Sequence, residues 1–125
     1  MQRMQGPALF AFALSALLVS AVPAFAGYGA LAHDEATNKF GLSWNEQSAR
    51  RAEEIAMKDC GNSSCKIIFR TGPHQCGAIA TPDKGNAWGA SDRGNRKDSV
   101  ELAAMKGCQG RTSEQCKVRA SGCNR

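Results

Sequence analysis

Short alternating runs of apolar and polar residues give way to a helical period, and the same change recurs 48 residues further along the chain. Tyr28 to His33 alternates small and apolar residues, the period of a strand. Asp34 to Asn38 is turn chemistry, and Lys39 to Trp44 resumes the alternation, so the two runs predict a hairpin. A helix follows, with Asn45 as a candidate cap. Ala52, Ile55, Ala56 and Cys60 fall on one helical stripe, and Glu54 and Lys58 are spaced as an i, i+4 ion pair. Gly61 stops the helix. Lys66 to Arg70 carries Ile67-Ile68-Phe69, an apolar run that fits a strand covered on both faces. Thr71 to Gln75 links to a second round. In that round Cys76 to Thr81 is a strand, Pro82 to Asn86 a turn and Ala87 to Ser91 a strand. Its helix carries Asn95 as candidate cap, Asp98 in the first turn and a stripe of Val100, Ala103, Ala104 and Cys108, ended by Gly107 and Gly110. Lys117 to Ala120 alternates, which predicts a last strand with one wet face showing Lys117 and Arg119.

The two rounds are copies. Laid over 77–108 without a gap, residues 29–60 match at 11 of 32 positions, and the matches include Glu53, Met57, Lys58 and Cys60 as well as small residues. Composition alone would give roughly two or three. Two copies are too few for a solenoid. They predict an α+β domain with a pseudo-two-fold axis, a largely antiparallel sheet and two helices on one face of it. Repeat one covers 27–75 and repeat two 76–125. Because the helix stripes are built of small residues, helix and sheet should approach closely, at Gly41 and Gly89.

Residues 1–26 read as an export signal: Arg3 is their one charge, Ala8 to Val22 is apolar apart from two serines, and Ala24-Phe25-Ala26 has the small-x-small form of a cleavage site. Cleavage before Gly27 predicts a secreted or periplasmic product without a transmembrane segment. All six cysteines then lie in the exported part, where an even count reads as a disulfide framework. Cys60 and Cys65 bracket the helix-to-strand loop of repeat one. Cys108 and Cys116 bracket the same loop in repeat two, which is three residues longer. If the copies share a fold they share this local bridge, and Cys76 is left for Cys123. The spacings do not form a zinc pattern, and no metal or cofactor is expected.

Charge separates the copies. Six basic and six acidic residues cancel between Gly27 and Gln75, whereas nine basic residues meet five acidic ones after it. Arg93, Arg96, Lys97, Arg111, Lys117 and Arg119 are therefore the candidate binding residues for an anionic partner, with Trp44 as a candidate exposed aromatic beside them. Trp88, aligned with Phe40, is expected in the core. No catalytic residue is assigned: the chain has no nucleophile elbow, P-loop or paired-histidine zinc motif. The recurring Glu53 and Glu101 are expected each to satisfy a group in its own half, and the recurring Ser43 and Ser91 to support the start of each helix.

The Gly-Ala-Leu/Ile-Ala openings, the aromatic-Gly pairs, the Ala-rich helices ending in Cys and the Cys-Lys-apolar strands resemble a bacterial exported family, domain of unknown function 4189, over residues 28–123. The resemblance implies export, the two-copy layout and paired cysteines; it carries over no functional residue. The expected function is a non-enzymatic binding module for an anionic envelope component or an acidic protein; a nucleic-acid partner is not expected. The alternatives are an inhibitor or immunity-type protein using Arg111 and the Cys108–Cys116 loop, and a hydrolase with an unrecognised site.

Overall fold

The computed structural model describes residues 27–125. The export signal expected over 1–26 lies outside the described residues. The elements are β1 (Tyr28–His33), β2 (Phe40–Glu46), α1 (Ala49–Cys60), β3 (Lys66–Thr71), β4 (Cys76–Pro82), β5 (Gly89–Ser91), α2 (Lys97–Gln109) and β6 (Cys116–Cys123). Each repeat closes its own sheet. β1 lies between β2 and β3, and β4 between β5 and β6, all pairings antiparallel.

Strand periodicity explains the layers. Successive side chains point to opposite faces. Ala30 and Ala32 of β1 pack with Ala52 and Ala56 of α1, and Ala78 and Ala80 of β4 with Val100 and Ala104 of α2. The intervening Leu31 and Ile79 point the other way and meet Phe69, with Phe40, Leu42, Ile68, Ala90 and Ala120 around them. The two sheets thus pack face to face with one helix on each outer side, not with both helices on one face as expected, because each repeat buries its helix on its own sheet. Burying Leu31 and Ile79 contributes roughly 1.5–3 kcal/mol each.

Small residues set the helix–sheet distance, as the sequence implies. A β-carbon at position 41 would overlap the Ala56 carbonyl oxygen and the Cys60 nitrogen; one at 89 would overlap the same atoms of Ala104 and Cys108, all under 3.0 Å. The helix backbone therefore rests on the strand backbone at equivalent points. Gly107 does not end α2 but lies inside it, opposite Gly89, and Gly110 follows the last helical residue.

The bridges are Cys60–Cys65, Cys108–Cys116 and Cys76–Cys123, the pairs obtained from the repeat register. Cys76 stands directly opposite Cys123 in the β4–β6 ladder.

Several local expectations are corrected. Ser48 caps α1, its hydroxyl accepting from the Arg51 N–H. Asn45 instead lies within β2, next to its last residue, with a left-handed φ of 57°; its N–H donates to Asn124 Oδ1 and its own Oδ1 accepts from the Arg125 N–H. Asn95 does not cap α2, whose N-cap is Arg96 with no side-chain capping bond. Ala103 is exposed and Ile55 half-buried, because the narrow contact with the sheet admits only one residue per turn. Glu54 pairs with Arg50 and Arg51 rather than Lys58.

Candidate functional site

The β1–β2 and β4–β5 turns lie at one end of the sandwich, and we call this the hairpin end. His33, the last residue of β1, is 1% exposed although it is a titratable group beside a turn. Its neighbours explain the burial. Alternation along β1 sends it to the inter-sheet side with Leu31, where its ring meets the Trp88 ring of repeat two at a centroid distance of 4.3 Å. Asn38, left-handed at φ 60°, folds back so that its Oδ1 lies 2.7 Å from His33 Nε2. The same amide donates through Nδ2 to the Ala87 carbonyl of repeat two at 3.1 Å. One asparagine therefore joins the halves and orients the imidazole. Asp34, 2% exposed, accepts from the Ala36 N–H, Thr37 Oγ1 and Asn62 Nδ2, which ties the turn to the end of α1. Beside His33 and Asp34 is a cleft of about 390 Å³, also lined by Glu35, Ala36, Ser64, Lys66 and Ile68.

Repeat two builds the equivalent corner differently. Its loop is three residues longer, so β6 residues match β3 residues 51 positions earlier: Lys66 faces His33 in the β1–β3 ladder as Lys117 faces Thr81 in the β4–β6 ladder. Where repeat one has Ile68, repeat two has Arg119. Its Nε donates to Thr81 Oγ1 at 2.9 Å, and its Nη2 lies 2.7 Å from Asp83 Oδ1. Lys117 Nζ lies 2.8 Å from the other Asp83 oxygen. The hydrogen bond from Arg119, reinforced by Lys117, pulls the Asp83 carboxyl down to about 2. Arg111 lies over the Trp88 ring at 5.1 Å and donates to the Trp88 carbonyl.

The six candidate cations do not share one face. Arg93, Arg96 and Lys97 stand at the start of α2 and Arg111 after its end, separated by a helix about 20 Å long. Arg96 is held by Asp98, whose carboxyl it lowers through their hydrogen bond. Arg111, Lys117 and Arg119 collect at the hairpin end. Trp44 lies at the far end and is half-buried rather than exposed. Glycines at 29, 77 and 122 form its slot, each lacking a β-carbon that would fall within about 3.2 Å of the indole. Trp88 is likewise half-buried, between His33 and Arg111.

Glu53 and Glu101 do matching work in their own halves. Glu53 pairs with Arg70 of β3, and Glu101 accepts from Ser121 at the equivalent position of β6. Ser43 joins the Ala30 N–H to the Ala52 carbonyl near the start of α1, whereas Ser91 accepts, at a long 3.4 Å, from the Arg93 N–H. Sequence reasoning did not single out Asn38, although its identity with Asn86 in the repeat was a usable signal. Among the described residues no group of three or more His, Cys, Asp or Glu side chains is placed to hold a metal, and no helix is long and apolar enough to cross a membrane.

Two pseudo-symmetric repeats, face-to-face sheets, outer helices and three bridges define the chain as a disulfide-stapled α+β protein. It belongs to the family described as domain of unknown function 4189, whose model matches residues 28–123. It is similar to the uncharacterized protein Rv1813c of Mycobacterium tuberculosis, at 34% identity over 59 residues, 47% of this chain and 39% of that protein. It is also similar to protein Rv1269c of the same organism, at 39% identity over 57 residues, 46% of this chain and 44% of that protein. The matches thus span less than half the length of these curated relatives. The NMR structure of Rv1813c aligns with a TM-score of 0.58 at 22% identity, covering 99% of this chain and 97% of that one. That likeness shows the shared fold.

Proposed function

We propose that the protein works after export as a non-catalytic binding module that meets an anionic component of the cell envelope through its hairpin end. The observation that carries this reading is the gathering of Arg111, Lys117 and Arg119 around Trp88 and Thr81. Lys84 in the adjoining turn adds a fourth exposed cation, and Asp83 is the carboxylate that pairs with two of them. Asp83 neutralises part of the charge but also fixes Lys117 and Arg119 in place, so they lose less side-chain freedom on binding. Arg93, Arg96 and Lys97 lie too far away to join the same contact and are left out of it. The inhibitor reading is weakened by Arg111 itself, which is folded onto Trp88 instead of projecting from its loop.

The test is capture of envelope fractions and purified acidic polysaccharide by the mature protein, at low and at moderate salt. Exposed charges are screened over about 8 Å at physiological ionic strength, so salt should weaken capture. The Lys117→Glu, Arg119→Glu double variant should lose capture by tenfold or more, and Arg93→Glu with Lys97→Glu should change it little. Equal capture by the first double variant and the wild type would remove the hairpin end from the function.

A further inference from the structure

We infer that the cleft of repeat one, beside His33, Lys66 and Ile68, is a binding site for a single acidic sugar unit. The inference rests on the proposed function only for the acidic character of the ligand; the cleft itself follows from other observations.

The first is the state of His33. Asn38 Nδ2 is committed to the Ala87 carbonyl, which fixes the amide so that Oδ1, an acceptor, faces the imidazole. His33 Nε2 must therefore carry the proton that it donates. In the neutral ring Nδ1 is then an acceptor. Nδ1 is buried and has no protein partner, the one such side-chain atom among the described residues. A buried acceptor left unpaired keeps the cost of its lost hydration. The protein holds that cost at a residue that lines an open cleft.

Repeat two shows the missing partner. At its equivalent corner Arg119 donates to Thr81, the counterpart of His33, and the polar atom is satisfied within the protein. In repeat one the matching side chain is Ile68, which has nothing to donate. The two copies share a backbone plan, so repeat one leaves open the place that repeat two fills.

The lining sets the chemistry. A ligand must bring an O–H or N–H to Nδ1, because a bare oxyanion would set acceptor against acceptor. Lys66, opposite His33 in the ladder and exposed, meets a negative group. Ile68 and Ala36 offer apolar surface to a ring face. Glu35 and Ser64 at the rim are exposed and free to bond hydroxyls. Asp34 is occupied by its three donors and frames the site. A sugar acid combines hydroxyl donors, a carboxylate and an apolar ring face, and a volume of about 390 Å³ is at the small-ligand end of the pocket range.

The experiment is an NMR titration of the mature protein with glucuronate, glucose and sodium acetate, following backbone amides and the imidazole nitrogens. Glucuronate should shift His33 Nδ1 and the amides of 34–36 and 64–68 saturably. Glucose should bind at least fivefold more weakly, and acetate should leave Nδ1 unmoved. Ile68→Arg, which copies the solution of repeat two, should weaken glucuronate at least tenfold without unfolding the protein; His33→Phe should do the same while keeping the stack on Trp88. Absence of a saturable shift at His33, equal responses to acetate and glucuronate, or unchanged affinity in Ile68→Arg would each overturn the site. Shifts confined to 111–119 would overturn the cleft while supporting the basic corner. Binding that survives Lys117→Glu with Arg119→Glu but not Ile68→Arg would support the cleft while removing the basic corner.

Discussion

At the end of β1 repeat one carries His33, and at the end of β4 repeat two carries Thr81; each faces a lysine, Lys66 or Lys117, across its ladder. The residue two positions beyond each lysine separates the corners further. Arg119 closes the second by bonding Thr81 and Asp83, whereas Ile68 leaves the first as a cleft with an unpaired His33 Nδ1. The copies also differ in how they are stapled. Both carry the loop bridge after the helix, but only repeat two joins its first and last strands, through Cys76–Cys123; the matching positions in repeat one are Tyr28 and Gly72. The repeat that is tied twice has its polar corner satisfied from within, and the repeat tied once keeps the open one. Duplication lets one backbone plan close its corner from within in one half and leave it open in the other.

Removing the second staple should bring the repeats closest together. The Cys76–Cys123 loop spans 47 residues, so Cys76→Ser with Cys123→Ser is expected to cost about 4 kcal/mol in the chain-entropy account. Cys60→Ser with Cys65→Ser, whose loop spans 5, should cost roughly half of that. Urea unfolding measures both. If the short bridge proves the costlier to lose, loop closure is not what the long bridge contributes.

The helix contacts should instead behave alike in both halves. Gly41→Ala and Gly89→Ala each drive a methyl into helix backbone, which cannot yield as a flexible side chain does, and each should destabilise by about 3 kcal/mol. A difference between the two of more than about 1 kcal/mol in the same urea assay would show that the helices do not rest on their sheets equivalently.

What could be read from the chain follows from this likeness. Gly41 and Gly89, the loop bridges and the paired Glu53 and Glu101 were legible because each is a within-repeat relation stated twice in the sequence. The contacts between repeats were not. The His33–Trp88 stack, the Asn38 bond to Ala87 and the glycine slot of Trp44 depend on how the sheets dock, and neither residue spacing nor periodicity encodes that. The helix starts were missed for a local reason. Asn45 and Asn95 are good cap residues, but Asn45 is used to hold the C-terminal Asn124 and Arg125, and the chain runs on to Ser48 before α1 begins. The basic residues were grouped by sequence, and the length of α2 divides them.

The smallest expected effect is the most specific to the difference between the corners. Asp83 is exposed, so its ion pairs should add little to stability, but they should be plain in its titration. In the unfolded chain the carboxyl has its ordinary value of 3.8, and in the folded protein Arg119 first and Lys117 second hold it down to about 2. Folding therefore favours the ionised form. Whatever stability the cluster contributes is complete above about pH 4 and is lost as pH falls from there through about 2. Carbon-detected NMR of the side-chain carboxyl should find the Asp83 midpoint near 2. Arg119→Gln and Lys117→Gln should each raise it, because the guanidinium hydrogen bond is the largest single cause and the lysine adds both a hydrogen bond and its charge. A wild-type midpoint close to 3.8, or no response to Arg119→Gln, would mean that Arg119 does not hold this corner in solution. The contrast with the open corner beside Ile68 would then fail at its source.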